Sequence, residues 1–136
     1  MGRIGAIGPR AVTFAQSAGM TVTSGGSLSA VGTETERSQF LGEEAVAGYW
    51  DGLRIWTNSA VNELTYVEVA HWGRGIGSTD ANVEVTGGGR LRLTNSIIRD
   101  SQGWGLYVGS TSTVTPTAIL SAGNVFLKNA RGDIGP

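Results

Sequence analysis

The chain has 136 residues, a formal net charge of −1 and 40% apolar residues. That is enough for one domain with a sizeable core, and the scattered lysines and arginines offer no basic surface to nucleic acid or to an anionic membrane. It has no cysteine, which excludes disulfides and thiolate metal sites, and no apolar run near the roughly 20 residues of a membrane span; its 22 glycines against three prolines point to many tight corners rather than to a linker.

In chain order, residues 1–10, "MGRIGAIGPR", lack the apolar core of a signal peptide and are expected to form a cap or a disordered segment. "AVTF", Ala11 to Phe14, reads as the last strand of a coil whose earlier strands are missing. "VTSGGSL", Val22 to Leu28, follows, and its pattern of apolar residue, Thr, glycine corner and Leu returns 63 residues later as "VTGGGRL", Val85 to Leu91. Between and beyond them, "GLRIW", "NVEV", "RLRL" and "GLYV" alternate with period two, the mark of short strands with one face buried. Gly, Asn, Ser and Thr clusters separate these runs and supply positive φ angles or local hydrogen bonds. No segment sustains a helical period.

Whole units recur as well. Phe14, Phe40, Val69, Ile98 and Phe126 are spaced by 26, 29, 29 and 28 residues. Leu28, Leu64, Leu91 and Ile119 form a looser second column, and Val22, Ile55, Val85, Val108 and Ile134 a third. Three columns predict three strands per coil, with each coil stacked on the last about 4.8 Å away so that like residues lie on like. Gly87, Gly88 and Gly89 are then a solenoid corner equivalent to Gly25 and Gly26. A phosphate cradle is excluded, because no Lys-Ser/Thr and no helix follow the run; the same objection holds for "GRGIG", Gly73 to Gly77.

"TVTSGGSLSAVGT" followed by "GYWDGLRI", and "NSIIRDSQGWGLYV" echoed by "GNVFLKNARGDI", resemble the right-handed parallel β-helix repeat family, the pectate-lyase-like superfold. The resemblance covers roughly residues 11–136. It implies an all-β, right-handed parallel β-helix of four to five coils, three short strands each, in a fragment of a longer surface or secreted protein. Polysaccharide is the partner class it suggests. The family includes lyases, hydrolases, adhesins and proteins without known activity, so the coil is specified and the activity is not.

Chemistry on such a scaffold belongs to outward side chains of one sheet. Alternation points Arg54, Glu84 and Tyr107 outward in one row, where charged groups could hydrogen-bond sugar hydroxyls and the ring could stack on a pyranose, or where a solvated salt bridge could simply lie beside a tyrosine. Trp56 and Trp72 fall at strand exits, positions for a partly exposed indole that binds carbohydrate, whereas Trp50 and Trp104 precede strand starts and suit corner packing. Carrying the Val69 register forward two residues aligns His71, Asp100 and Lys128 on successive rungs, the one candidate acid–base pair. Asp51 and Asp80 are a possible rung pair, and Glu43 and Glu44 share a loop. No third acid joins either pair on the row, so the acidic cluster of a calcium-assisted lyase is not found and neither a metal nor a cofactor is implied. Thr21 and Thr23 align with Glu84 and Thr86 without a continuing Thr-x-Thr row, against ice binding. The expectation is therefore a non-catalytic structural or carbohydrate-binding module, with a polysaccharide lyase or glycoside hydrolase as the alternative. Bare solenoid ends are expected to associate as a homo-oligomer.

Overall fold

The computed structural model describes residues 11–72 and 77–136, together with the backbone of Ala6–Ile7. The chain winds through the same three sheets. Its first passage is β1 (Ala6–Ile7), β2 (Ala11–Phe14) and β3 (Met20–Val22), and its second is β4 (Ser29–Val31), β5 (Ser38–Gly42) and β6 (Leu53–Ile55). The third is β7 (Glu63–Thr65), β8 (Val67–Ala70) and β9 (Ala81–Val85); the fourth is β10 (Arg90–Thr94), β11 (Ile97–Arg99) and β12 (Trp104–Val108). The fifth is β13 (Thr113–Thr115), β14 (Val125–Leu127) and β15 (Gly132–Gly135), with a 3-10 turn at Ile119–Ser121 between β13 and β14. Each sheet has five strands, in the orders β1-β4-β7-β10-β13, β2-β5-β8-β11-β14 and β3-β6-β9-β12-β15. Every pairing is parallel. The protein is a parallel β-solenoid of about four turns, three strands to the coil. No helix among the described residues is long and apolar enough to cross a membrane.

The first and third columns form as expected in the middle of the solenoid and shift at its ends, and the second does not form as expected. Phe40, Val69, Ile98 and Phe126 lie in register, and the first three are fully buried. The residue above Phe40 is Val12, however; Phe14 lies opposite Gly42. The shorter 26-residue step between Phe14 and Phe40 kept the inward parity but displaced the residue by one inward position, which period-two alternation cannot register. Phe14 is half-buried and stacks on the buried Trp50, with ring centroids 4.0 Å apart and planes at 9°.

Leu28 and Leu91 share a column with Asn62 between them, but Leu64 and Ile119 are not part of it. Leu64 stacks between Ala30 and Leu93, Leu91 lies on Val114, and Ile119 is in the 3-10 turn. Val22, Ile55, Val85 and Val108 do share a column, whereas Ile134 lies under Leu106.

Corners are built from residues that tolerate a left-handed backbone or bridge rungs by side-chain amides. Tyr66 (φ 52°), Asn95 (φ 50°) and Gly123 (φ 79°) each precede a strand of the second sheet or its approach, and His71 (φ 75°), Asp100 (φ 53°) and Lys128 (φ 54°) each follow one. Buried Asn62 accepts from the Leu28 N–H at 2.9 Å and donates to the Thr57 and Arg90 carbonyls and the Thr57 hydroxyl. Asn82, Asn124 and Asn129 tie neighbouring coils in the same way. Buried backbone groups at the corners are thus paired where no sheet ladder reaches them.

Candidate functional site

The outer face of the third sheet carries the predicted row. Thr21, Arg54 and Glu84 are register partners, and Tyr107 continues them on β12. One residue past each strand lies a parallel row, because the Trp56 N–H bonds to the Val22 carbonyl at 3.0 Å, that of Thr86 to Ile55 at 3.2 Å and that of Gly109 to Val85 at 2.8 Å. Thr23, Trp56, Thr86 and Gly109 therefore stack beside the first row.

Glu84 is nearly buried, and both of its oxygens have partners: Arg54 Nε at 3.4 Å and the Thr86 hydroxyl at 3.1 Å. The Arg54 side chain remains 36% exposed, and Tyr107 is half-buried.

Trp56 and Trp72 part company. Trp56 is 46% exposed and Trp72 only 2%, so Trp72 is not an accessible indole. The reason lies on the neighbouring rungs. Gly52 and Gly103 sit against the Trp72 ring so closely that a Cβ on Gly103 would come within 2.7 Å of it; the missing side chains make a slot that the indole fills.

At Trp56 the neighbouring glycines leave open space instead. Gly25, Gly87 and Gly88 have φ of 80°, 62° and 79°, and a Cβ on any of them would meet nothing within 4 Å. A shallow cleft of about 350 Å3 results, lined by Ser24, Gly25, Trp56, Asn58 and Gly87–Gly88. Beside it is a second of about 310 Å3, which shares Gly25, Thr57 and Asn58 and extends to Ser27 and Ser59. Trp50 and Trp104 pack as expected of corner residues: Trp50 is fully buried with Nε1 donating to the Ala70 carbonyl at 2.6 Å, and half-buried Trp104 donates to Ser78 at 3.2 Å.

His71, Asp100 and Lys128 each follow the ends of the paired strands β8, β11 and β14. The imidazole is 5% exposed, and its Nδ1 is buried without a hydrogen-bond partner. The Asp100 carboxylate bonds Arg99 Nη1 at 2.5 Å, and no bond joins it to Nδ1. Burial, helped by the Arg99 guanidinium, holds the imidazole below its ordinary pKa against the opposing pull of Asp100 and Glu68.

The alternation had not drawn attention to the second sheet's outer face, where Gln39 and Arg99 converge on Glu68 at 2.8 and 2.6 Å. Burial by itself would raise the Glu68 carboxyl, but these hydrogen bonds and the charges of Arg99 and Arg37 outweigh it and hold it below the usual range. The outward parity of Glu68 and Arg99 was legible; their diagonal contact, across 31 residues, needed the register.

Asp51 and Asp80 do not face each other as a pair. The Asp80 carboxylate accepts the Gly77 N–H at 2.6 Å in its own loop, and the β6–β9 register sets Ala81 rather than Asp80 level with Asp51. Glu43 and Glu44 are exposed. Among the described residues no three of His, Cys, Asp and Glu gather as metal ligands would. Gly73–Ile76 and residues 1–5 and 8–10 lie outside the described residues, and with them most of the predicted N-terminal cap. Compared with known proteins, the chain matches no family model, no curated protein and no solved structure.

Proposed function

We propose that this chain is a non-catalytic carbohydrate-binding β-helix module of the pectate-lyase-like kind, carried by a surface or secreted protein. The observation that supports it is the exposed Trp56 indole standing in a cleft between two glycine corners, on the same face as Arg54, Glu84 and Tyr107. An aromatic face presents apolar surface to the C–H face of a pyranose, while flanking hydroxyls and amides take its polar edge.

Cleavage is the weaker reading. A glycosidase places two carboxylates about 5–9.5 Å apart around the scissile bond, and on the Thr21–Arg54–Glu84–Tyr107 row Glu84 is the single acid, with Arg54 and Thr86 on its two oxygens. A glycan array and a polysaccharide-depolymerisation assay on the same preparation test both. Binding without release of reducing ends or unsaturated sugars is the expected result. Product release that Glu84→Gln or His71→Ala abolishes would make the protein an enzyme.

Trp56→Ala is expected to weaken glycan binding at least tenfold and to leave stability within about 0.5 kcal/mol, since the ring is not part of the core; isothermal titration and urea unfolding read the two effects separately. Tyr107→Ala is expected to weaken binding less. We extend the proposal to self-association through the fifth passage, where Phe126 and Ile134 are only partly covered.

A further inference from the structure

We infer that the Trp56 cleft selects an uncharged glycan, a chain of neutral pyranoses rather than uronic acid or sulfated sugars. The inference rests on the carbohydrate reading above and narrows it. The two clefts share Gly25, Thr57 and Asn58, so they form one shallow depression that turns the corner of two coils. Its two parts, of about 350 and 310 Å3, stand at the small end of the range for ligand pockets and fit a short stretch of a chain.

The lining offers one indole, side-chain hydroxyls and amides, and glycine backbone. No charged side chain lines either part. Thr57 is not a free contact, because its hydroxyl takes a hydrogen bond from Asn62 at 2.9 Å; Ser24 and Asn58 are exposed beside Trp56. These are partners for neutral hydroxyls, each able to donate and accept.

Among the described residues, Arg54 lies two residues before Trp56 on the same outward parity, and it is already paired with Glu84. Arg90, which opens β10 after the Gly87–Gly89 corner, is exposed but lines neither part. An acidic sugar laid on Trp56 would bring its carboxylate or sulfate to a wall without a counter-charge, on a protein of net charge −1, and would lose the charge-assisted bonds that acidic glycans normally find. A neutral sugar needs no counter-charge there.

The test uses the whole chain and soluble polysaccharides of both kinds, neutral (mannan, xyloglucan, mixed-linkage β-glucan) and acidic (polygalacturonate, alginate), by affinity electrophoresis and titration at 0.15 M salt. At least one neutral polymer is expected to bind tenfold or more tightly than any acidic one, and Trp56→Ala to remove that binding. Asn58→Arg, which adds a cation to the exposed lip, is expected to raise acidic-polymer binding at least threefold while the fold, read by circular dichroism, is unchanged. Gly87→Asn keeps a residue tolerated at positive φ and is expected to weaken neutral binding by filling open space. Acidic polymers binding as well as neutral ones in a Trp56-dependent way would overturn the inference and leave carbohydrate binding standing. Binding indifferent to Trp56→Ala would overturn the placement of the site. No binding to either set would overturn the inference together with the reading it rests on.

Discussion

His71 concentrates two unfavourable features in one side chain: a left-handed backbone (φ 75°) and a buried Nδ1 with no partner. Non-glycine residues in this region cost about 1–3 kcal/mol, and asparagine bears it better than most. His71→Asn is therefore expected to leave stability at pH 7 equal or higher by up to about 1 kcal/mol. The pH dependence has a definite sign. The folded imidazole titrates below its ordinary value, so between the folded value and about 6.5 the unfolded chain binds the extra proton. Stability is complete above that value and falls as pH drops. Glu68, also held below its ordinary range, adds a second loss in the same direction, beginning below about 4.3. Urea unfolding from pH 7.5 to 3.5 should show the upper loss flattened in His71→Asn and the lower loss flattened in Glu68→Gln; a His71→Asn profile that still falls between pH 6.5 and 5 would contradict the assignment.

At the scale of the element, stability resides in the columns and in the amides that link them. Phe40 is fully buried between Val12 and Val69, and Phe40→Ala should cost about 3–5 kcal/mol. Phe14, on the outermost passage and half-buried against Trp50, should cost clearly less. Equal losses in urea denaturation would mean that the end coil is packed as tightly as the centre. Asn62 occupies an inward place between coils whose neighbours carry Leu28 and Leu91, and its side chain makes four hydrogen bonds. Asn62→Ala strands the Leu28 N–H and takes the amide donor from the Arg90 carbonyl, while the Thr57 carbonyl keeps the Arg90 N–H; each buried group left unsatisfied costs about 1–3 kcal/mol. The Leu28 amide should also exchange with deuterium much faster in the variant, a reading that a simple loss of packing would not single out.

For the whole molecule, the apolar surface of the fifth passage is the feature that bears on assembly. Phe126 and Ile134 are only partly covered, Leu120, Val125 and Leu127 are exposed, and apolar depressions beside Ile119 and Ile134 open on this passage. Strands β13, β14 and β15 each pair on one side among the described residues, and the other side suits a further coil or a second copy alike. A second copy meeting this passage would cover both kinds of surface. Sedimentation across a concentration series is expected to show association that Leu127→Lys with Val125→Lys weakens; a strict monomer at high concentration would dismiss it. The surface row is expected to remain accessible in that assembly, because it lies on the third sheet's outer face rather than on the coil edge.

Much of the architecture was written in spacing and parity. Near-constant steps among Phe40, Val69, Ile98 and Phe126 required stacked coils, since only a solenoid places each residue on its counterpart one coil on. Alternation then set Arg54, Glu84 and Tyr107 on one outward row, as the register has them. Parity is a local property, and the chain declares it locally. What tertiary structure decided was which inward position stacks on which, and what stands beside each indole. Phe14 and Ile134 moved by two residues without changing face, because two inward positions on one strand are alike in sequence and differ only in their partner across the sheet. Trp56 and Trp72 both follow the ends of strands. One is buried because Gly52 and Gly103 close on it and the other exposed because Gly25 and Gly87 stand away, and those glycines belong to coils that only folding brings alongside.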